Sequence, residues 1–410
     1  MAVIAKKQAH GTGIPTIYGI LFAIGAGHFF NDSIQAVVPA MFPILEKTLS
    51  LSYSQIGWIA FVVNMTSSVM QPVFGLYADK RPRPFLLPLG MFMSMLGLIG
   101  FGLSPSFYII LCSVFFIGIG SAVFHPEGSR VAYMAAGEKR GLAQSIYQVG
   151  GNFGQSLAPV FTALIFYPFG QKGILSFTFV AAMGIILLIF VSKWYKQQIS
   201  FGAQIKKKIV ASTTKQRIHP KLIGAMILLV FIVFARSWYS AGISNFYQFY
   251  LIEDYGISIQ GAQIYIFIFM IAGVIGTFLG GPLADRFGKR NIILFSLVGA
   301  APLAMMLPYV PLFLVIPMFF LIGFIITSSF SVTVVYAQEL MPNKIGMVSG
   351  LIVGLAFGMG AIGSVLYGNL ADFFSIKFVM ILCSFLPLLG LLTFLLPKDE
   401  KVREMNEQTR

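Results

Sequence analysis

The sequence predicts an all-α membrane protein in which twelve transmembrane helices form two pseudo-symmetric six-helix halves with both termini in the cytoplasm. The first observation is composition, since 57% of the 410 residues are hydrophobic and only 10% are charged. Soluble domains contain about 25% charged residues, so an ordinary soluble enzyme is excluded. The second observation is a series of long apolar segments without charges, and the third is an internal repeat.

The apolar segments have the length that a bilayer requires. A hydrocarbon core of about 30 Å needs about 20 predominantly apolar residues in a helix. Pro84–Pro126 and Asn291–Gln338 are each long enough for two helices, with turns expected at Ser104–Ser106 and Pro308–Pro311. The other segments each hold one helix: Thr16–Leu45, Thr48–Ala78, Gly141–Gln171, Gly173–Ser192, Leu222–Leu251, Tyr255–Ala284, Ile345–Ala371 and Phe378–Pro397.

The distribution of Lys and Arg predicts the orientation. Loops on one side contain the basic clusters Lys80–Arg83 and Lys139–Arg140 and the stretch Lys193–Lys221, whereas the opposite loops contain only three lysines. Basic residues accumulate in cytoplasmic loops, so the first side and both termini are placed in the cytoplasm. The net charge of +14 therefore reflects topology. No nucleic-acid partner is expected.

Two short segments of the first half recur in the second half. Gly75–Asp79 matches Gly281–Asp285 at a separation of 206 residues, and Val149–Gly154 matches Val353–Gly358 at a separation of 204. Parallel repeats of this kind are typical of transporters that alternate access to a site between their halves. We divide the chain into an N-terminal half (1–195), a basic cytoplasmic linker (196–220), a C-terminal half (221–397) and a cytoplasmic tail (398–410).

The segment that follows the eighth predicted span is similar to a family motif. Gly281–Arg290 resembles the loop motif of the major facilitator superfamily, and Gly75–Arg83 is its first-half copy, with Pro82 where glycine is usual. More narrowly, nearly the whole chain resembles the fosmidomycin resistance protein family of that superfamily. The segments that carry this narrower resemblance are His28–Gln35, Phe124–Arg130, Gly141–Gly154 and Tyr336–Pro342.

The resemblance implies the major facilitator fold and a secondary active exporter. A proton would enter down its gradient while a small anionic antibiotic such as fosmidomycin leaves by alternating access. We expect a multi-pass monomer in the bacterial cytoplasmic (inner) membrane, with the anionic substrate, protons and membrane lipid as partners. Transport of another organic anion or of a sugar stays open, as does a non-transporting membrane sensor of the same fold.

The sequence offers no metal, cofactor or enzymatic site. Cys112 and Cys383 lie in apolar segments without metal-ligand spacing, and His125 and Glu127 are the only pair that looks catalytic. A phosphate-binding loop of the Gly-x-x-x-x-Gly-Lys-Ser/Thr type does not occur. We therefore expect no metal, no cofactor, no ATP-driven transport and no enzymatic activity.

Polar residues inside the first predicted span form one stripe. An ionisable side chain near the centre of a transmembrane helix costs about 2.5–3.5 kcal/mol, so each one needs an explanation. Asp32 lies about 24 Å along the helix from Thr16, and is the candidate proton carrier. The alternative is a polar cluster that only ties helices together. The stripe, spaced three and four residues apart, consists of His28 for proton coupling, Asn31 and Gln35 as substrate contacts, and Asp32.

The fourth predicted span contains His125, Pro126 and Glu127, followed by Arg130. Proline leaves a backbone carbonyl without its helical partner, which suits a site that moves or binds. His125 and Glu127 are candidates for a second protonation site or an inner gate, and Arg130 is a candidate substrate contact. The alternative is an interfacial ion pair of Glu127 and Arg130, which are three residues apart on one face.

Arg236 in the seventh predicted span is the candidate anchor for the substrate anion. At a separation of 206 residues it corresponds to Phe30, and a guanidinium binds phosphonate or carboxylate oxygens in a bidentate manner. The structural alternative is a permanent ion pair with Asp32, and a pair that opens when Asp32 is protonated combines both ideas. Further candidate substrate contacts are Gln148 and Asn152 in the fifth span and Tyr239, Asn245, Tyr247 and Gln248 in the seventh.

The loop motifs predict a cytoplasmic gate. Asp79 and Asp285 end the second and eighth predicted spans. The resemblance implies that these aspartates face the N-terminal ends of spans eleven and five, where the helix dipole favours an anion. It also implies that Arg83 and Lys289 extend this charge network, with Glu339 as a partner of Lys289. Such contacts are expected only when the two halves close on the cytoplasmic side.

Overall fold

A computed structural model describes residues 15–80, 83–137, 139–205, 220–342 and 345–407, and all regular structure in these residues is helical. The α-helices are α1 Tyr18–Ala40, α2 Phe42–Leu49, α3 Tyr53–Lys80, α4 Leu86–Leu103, α5 Phe107–Ala135, α6 Arg140–Phe161, α7 Tyr167–Phe169, α8 Phe177–Ile205, α9 Pro220–Glu253, α10 Ile259–Phe287, α11 Lys289–Leu294, α12 Ala301–Met306, α13 Leu312–Thr327, α14 Phe330–Leu340, α15 Ile345–Phe373, α16 Ile376–Ser384 and α17 Asp399–Glu407. Short π-helical segments at Thr162–Phe166 and Phe295–Gly299, and 3₁₀ segments at Gly170–Ser176, Leu307–Tyr309 and Leu386–Leu395, continue several of them.

Helices of this length confirm an all-helical membrane protein. Among the described residues, nine helical segments are long and apolar enough to cross a membrane. One of them, Leu142–Ile199, contains both α6 and α8. The count of twelve spans and the orientation of the termini stay predictions.

The two expected turns are found, but two predicted spans are interrupted. The turns separate α4 from α5 at Ser104–Ser106 and precede α13 at Pro308–Pro311. The first predicted span divides into α1 and α2 at Met41, because Pro43 begins a new helix. The second part of Asn291–Gln338 breaks between α13 and α14, where the hydroxyl of Ser328 donates to the Ile325 carbonyl at 2.7 Å and competes with the helical ladder.

The predicted linker and tail contain more helix than expected. Helix α8 continues beyond the buried Tyr195 to Ile205, and α9 begins at Pro220. Residues 206–219 lie outside the described residues. In the predicted tail, α17 packs on the C-terminal half through Val402, and Asp399 accepts hydrogen bonds from the backbone amides of Lys289 (2.7 Å) and Arg290 (3.2 Å).

Glycines allow the helices of the N-terminal half to pack closely. A Cβ added at Gly150 of α6 would overlap the backbone of Gly25 on α1, and one at Gly154 would overlap the backbone of Phe29. Small residues allow transmembrane helices to approach in this way. This close contact sets the position of the polar stripe on α1 relative to α6.

The buried apolar residues form two clusters with different extents. The larger cluster contains residues of both halves, including Ile56 on α3 and Phe249 on α9. The smaller cluster contains, among the described residues, only residues of the C-terminal half and the tail, including Leu222 on α9 and Ile352 on α15. The two halves therefore share an apolar core near the C-terminal end of α9.

Candidate functional site

Asp32 lies at the centre of a polar cluster between α1, α5 and α6. Its Oδ2 is 3.3 Å from Nε2 of His28 and accepts a hydrogen bond from Nε2 of Gln155 at 2.7 Å. Its Oδ1 is 3.4 Å from Nε2 of His125 and accepts a hydrogen bond from Nδ2 of Asn31 at 2.9 Å. Three predicted residues, two on α1 and one on α5, thus contact Asp32. Gln155 also contacts Asp32 and was not predicted.

The second ring nitrogen of each histidine is already in use. Nδ1 of His28 lies 2.7 Å from the carbonyl oxygen of Tyr147, and Nδ1 of His125 lies 2.8 Å from that of Ser121. A carbonyl oxygen only accepts hydrogen bonds, so Nδ1 of each ring carries a hydrogen. A hydrogen bond between Nε2 and Asp32 then needs one further proton, on the ring or on the carboxyl group. The arrangement is built to hold an extra proton.

The cluster is closed on one side and accessible on the other. The ring of Tyr147 stacks on His28 with centroids 4.1 Å apart. The side chains of His28 and Asp32 are 2% and 4% exposed, whereas that of His125 is 22% exposed. Of these three ionisable groups, His125 is the most exposed in this conformation.

Hydroxyl and amide groups extend the cluster along α1 toward α3 and α5. The hydroxyl of Ser121 donates to Oε1 of Gln35 at 2.5 Å and lies 3.3 Å from Nδ1 of His125. Nε2 of Gln35 donates to Asn64 at 3.5 Å and to Ser67 at 3.4 Å. Gln35, predicted as a substrate contact, thus belongs to the same network as the two histidines.

Glu127 is separated from this cluster although it lies two residues from His125. It is buried and accepts a hydrogen bond from the hydroxyl of Tyr195 on α8 at 2.7 Å. Arg130 is half-buried one turn further along α5. The sequence grouped His125 with Glu127, but a separation of two residues turns them to different faces of a helix.

Arg236 on α9 is a buried cation of the C-terminal half, with 6% exposure. Its Nη1 donates to the hydroxyls of Ser329 at 3.0 Å and Thr333 at 3.4 Å, and its guanidinium lies 5.3 Å from the centre of the Phe330 ring. The ion pairs found among the described residues do not include Arg236. The permanent pair with Asp32 is therefore absent from this conformation of the described chain.

The other predicted polar residues of α9 are in contact with helices. Tyr239 is buried, and its hydroxyl has no hydrogen-bond partner among the described residues. Asn245 donates to the hydroxyl of Ser364 at 2.8 Å, Tyr247 donates to the Leu307 carbonyl at 3.4 Å, and Gln248 donates to the Pro39 carbonyl at 2.9 Å. In this conformation these three side chains hold neighbouring helices together.

Gln148 and Asn152 lie on α6, the helix that also carries Gln155. Both are half-buried. Gln155 directly follows Gly154 and was not predicted, although its position three residues after Asn152 in a glycine-rich transmembrane helix could have indicated it. Its bond to Asp32 makes α6, and not only α1, part of the site.

The predicted ion pair of the loop region is present. Nζ of Lys289 lies 2.9 Å from Oε1 of Glu339. Both residues belong to the C-terminal half, at the start of α11 and near the end of α14. The expectation that this contact requires closure of the two halves is wrong, because the ends of these two helices are neighbours within one half.

The remaining gate candidates do not form a network in the described residues. The guanidinium of Arg83, between α3 and α4, lies 5.9 Å from the ring centre of Tyr77 on α3. Asp285 is exposed at the end of α10. The side chain of Asp79 lies outside the described residues.

The residues around Asp32 also satisfy the distance requirement of a metal site. One ligand atom from each of His28, Asp32 and His125 lies within 4.8 Å of the others. The sequence argument against a metal used spacing along the chain and could not detect this grouping. Both carboxylate oxygens already accept an amide N–H, from Asn31 and Gln155. Because a cation would compete with these donors, the set suits a proton better.

Comparison with known proteins agrees with this architecture. The chain matches the Major Facilitator Superfamily model over residues 21–364 and 230–410. It is 58% identical over 403 residues to the uncharacterized MFS-type transporter YfnC of Bacillus subtilis (strain 168), covering 98% of each chain. It is 43% identical over 396 residues to the fosmidomycin resistance protein of Escherichia coli (strain K12), covering 97% of each.

A solved structure shows the same fold. It is the crystal structure of a bacterial homologue of the human lysosomal transporter Spinster in an inward-facing and occupied conformation. The TM-score is 0.77 at 16% sequence identity, and the match covers 97% of this chain and 99% of the other. Sequence identity this low supports the fold alone.

Repeated helical halves with ionisable groups buried in each define the class of this protein as a membrane transporter. More particularly, the chain belongs to the major facilitator superfamily. Its resemblance to the fosmidomycin resistance protein family is confirmed by 43% identity along nearly the full length.

Proposed function

We propose that the protein exports a small organic anion in exchange for protons, by alternating access between its two halves. In this proposal twelve helices span the bacterial cytoplasmic membrane, both termini are cytoplasmic, and a monomer in lipid is the working unit. Neither a cofactor nor enzymatic chemistry takes part. The observation that carries the proposal is Arg236, a buried guanidinium that contacts only neutral hydroxyls and a ring among the described residues.

A buried charge without an opposite charge is unfavourable. Removing one partner of a buried ion pair costs about 3–5 kcal/mol, because the other charge stays uncompensated. Ser329 and Thr333 supply hydrogen-bond acceptors to Arg236 but no negative charge. A phosphonate or carboxylate group of a substrate would supply that charge and would match the fork of the guanidinium. Arg236 is thus suited to bind an anion.

Proton coupling is supported by the cluster in the other half. Both histidines bond a carbonyl through Nδ1 and face Asp32 through Nε2, so the cluster gains hydrogen bonds when it takes up a proton. Histidine titrates near neutral pH, which suits a proton carrier that loads and unloads in each cycle. The partial exposure of His125 supports its role as the group that exchanges protons with solvent in this proposal.

Export of fosmidomycin is the specific form of the proposal. It is supported by the name of the Escherichia coli relative at 43% identity. The transmembrane potential contributes about 2.3 kcal/mol per elementary charge and 100 mV, and the proton gradient adds to it. Exchange of entering protons for a leaving anion can use both.

Everted membrane vesicles test this proposal. Their lumen is acidified by respiration, and fosmidomycin is then added outside, where the cytoplasmic face of the protein is exposed. We expect the wild-type protein to release protons from the lumen and the Asp32→Asn variant to lose this release. Asp254→Asn, which removes a carboxylate from an exposed ion pair with Lys377, is the matched control and should behave as wild type.

Each outcome decides a part of the proposal. Release that persists in Asp32→Asn would remove Asp32 from the coupling step and leave the exporter. Absence of release from the wild type, with the protein verified in the membrane, would overturn fosmidomycin as substrate. A screen of other organic anions and sugars in the same vesicles would follow, and absence of any flux would favour a sensor.

A further inference from the structure

Asp372 near the end of α15 contacts the beginning of α3 in the opposite half of the protein. Its Oδ1 accepts a hydrogen bond from the backbone amide of Tyr53 at 2.8 Å, and its Oδ2 accepts one from that of Ser54 at 2.8 Å. The hydroxyl of Ser54 also donates to Asp372, and it lies 3.2 Å from Oδ1 of Asn369. One carboxylate thus binds two backbone amides and a hydroxyl across the boundary between the halves.

The beginning of α3 is incomplete without this carboxylate. The hydroxyl of Ser52 accepts from the Gln55 amide at 3.2 Å, and the Gln55 side chain accepts from the Ser52 amide at 3.0 Å. This reciprocal arrangement caps two amides locally. The amides of Tyr53 and Ser54 have no acceptor in their own helix, since first-turn amides lack an intrahelical partner. Their acceptor comes from Asp372, which also opposes the positive end of the helix dipole.

The helix backbones around this contact lie against each other. A Cβ added at Gly57 of α3 would overlap the carbonyl of Ser364, and one added at Gly368 of α15 would overlap the carbonyl of Tyr53. The rings of Tyr53 and Phe249 on α9 are 5.1 Å apart. Asp372 is therefore bonded at the edge of a close interface between the halves.

A second hydrogen bond crosses the halves at the same end. Nε2 of Gln248 on α9 donates to the carbonyl of Pro39 on α1 at 2.9 Å, and Oε1 of Gln248 accepts from Gln263 on α10 at 2.8 Å. Both Gln248 and Gln263 are buried. The shared apolar cluster lies here, whereas the described core around Leu222 at the other end contains no residue of the N-terminal half.

We propose that Asp372 is the latch that holds the outer side of the transporter closed. The predicted topology places the ends of α1 and α15 outside the cell, so these contacts close the described conformation on its outer side. Opening to the outside must separate α3 from α15 and leave the amides of Tyr53 and Ser54 to water. The latch adds a gating residue to the proposed transport cycle and requires no particular substrate.

The latch is tested by the separation of the halves at the outer end. Spin labels are placed at Tyr108 and Tyr309, which are exposed at the outer ends of the two halves, in full-length protein with Cys112→Ser and Cys383→Ser. Distances are measured in lipid without substrate or proton gradient. Loss of an N-cap costs about 1–2 kcal/mol, so we expect Asp372→Ala to raise the population with long label distances about five- to thirtyfold.

Controls separate the latch from a general effect of charge. Asp254→Asn removes a carboxylate at the same outer end, from an ion pair with Lys377 inside the C-terminal half, and should give the wild-type distribution. Asp372→Asn keeps one acceptor oxygen and should give a smaller shift than Asp372→Ala. Ser54→Ala, which removes only the hydroxyl, serves if Asp372→Ala does not fold.

The outcomes are unambiguous. Distance distributions of the Asp372 variants that coincide with the wild type would overturn the latch, as would an equal shift in Asp254→Asn. Because the measurement uses neither fosmidomycin nor protons, the latch can fail while the proposed exporter function holds. The exporter function can likewise fail while the latch holds.

Discussion

The helix pair that holds Asp32 and the pair that holds Arg236 occupy equivalent places in the two halves, yet they carry opposite charges. Asp32 and Arg236 are 204 residues apart, and so are their partners His125 and Ser329. The contact distances are 3.4 Å for Asp32 and His125 and 3.0 Å for Arg236 and Ser329. A separation of 206, taken from the loop motif, had matched Arg236 with Phe30 instead.

The two places differ in how their charges are balanced. Asp32 faces two imidazoles and two amides, so each proton that the cluster takes up adds a hydrogen bond within the protein. Arg236 faces hydroxyls, which neutralise no charge. A duplicated scaffold has thus kept the positions of two interacting helices and changed their side chains. We infer that the N-terminal half handles the proton and the C-terminal half handles the anion.

The largest effect is expected when the cation of the C-terminal half is removed. Charge-assisted hydrogen bonds contribute about 1.5–3 kcal/mol, so Arg236→Gln should weaken fosmidomycin binding by about 100-fold. Arg236→Lys keeps the charge but not the bidentate fork and should lose about tenfold. Titration calorimetry of the purified protein measures both. Arg286→Gln, at an exposed position in the last turn of α10, is the control, and unchanged binding in Arg236→Gln would contradict the assignment of the anion site.

His125→Gln tests whether the proton and the anion are bound in different halves. This change removes the exposed member of the proton cluster, and loss of its bond to Asp32 should lower proton-driven efflux about tenfold. Binding of fosmidomycin at equilibrium should stay within about twofold of wild type if, as we propose, the substrate anion binds in the other half. An equal loss of binding and efflux would show that proton and substrate share one site.

A smaller effect is expected from Gly151→Ala, which removes no polar group. The added Cβ would overlap the imidazole of His28 and push this ring away from Asp32. Overpacking of this kind costs about 1–3 kcal/mol, and we expect a severalfold loss of proton-driven efflux. Gly224→Ala on α9, where the added Cβ meets no atom, is the control. Full efflux by Gly151→Ala would show that the position of His28 is not critical.

The smallest effects are expected from the hydroxyls beside Arg236. Ser329→Ala and Thr333→Val each remove one neutral acceptor, worth about 0.5–1.5 kcal/mol, so substrate affinity should change about two- to tenfold. Ser296→Ala, whose hydroxyl bonds its own helix backbone, should change nothing. An effect of either variant as large as that of Arg236→Gln would contradict this prediction. The hydroxyls, and not the charge, would then be the main substrate contacts.

Much of the candidate site could be predicted from the sequence, and the residues that were not predicted correctly share one cause. Asp32, His28 and Asn31 were found because they lie three and four residues apart on one predicted helix. Glu127 was grouped with His125 on sequence distance, but it bonds Tyr195 on α8. Gln155 was missed because its partner is 123 residues away. Spacing rules apply within one helix and do not predict which face meets which neighbour.

The predicted gate shows the same limit. Glu339 was correctly paired with Lys289, and the contact is 2.9 Å. Its location within one half was not predicted, because the sequence does not show which loops meet. Asp372, which had no place in the predicted gate, bonds the first amides of α3 from more than 300 residues away in sequence.

The amino-acid sequence is sufficient to predict the membrane class, the helical segments, the repeat, and an acid and a base inside predicted spans. It could do so because the cost of placing a residue in hydrocarbon depends mainly on that residue and its depth. Tertiary structure decided the partners: His125 for Asp32, Ser329 for Arg236 and α3 for Asp372. These contacts depend on helix rotation and register, which are set by packing between helices distant in sequence.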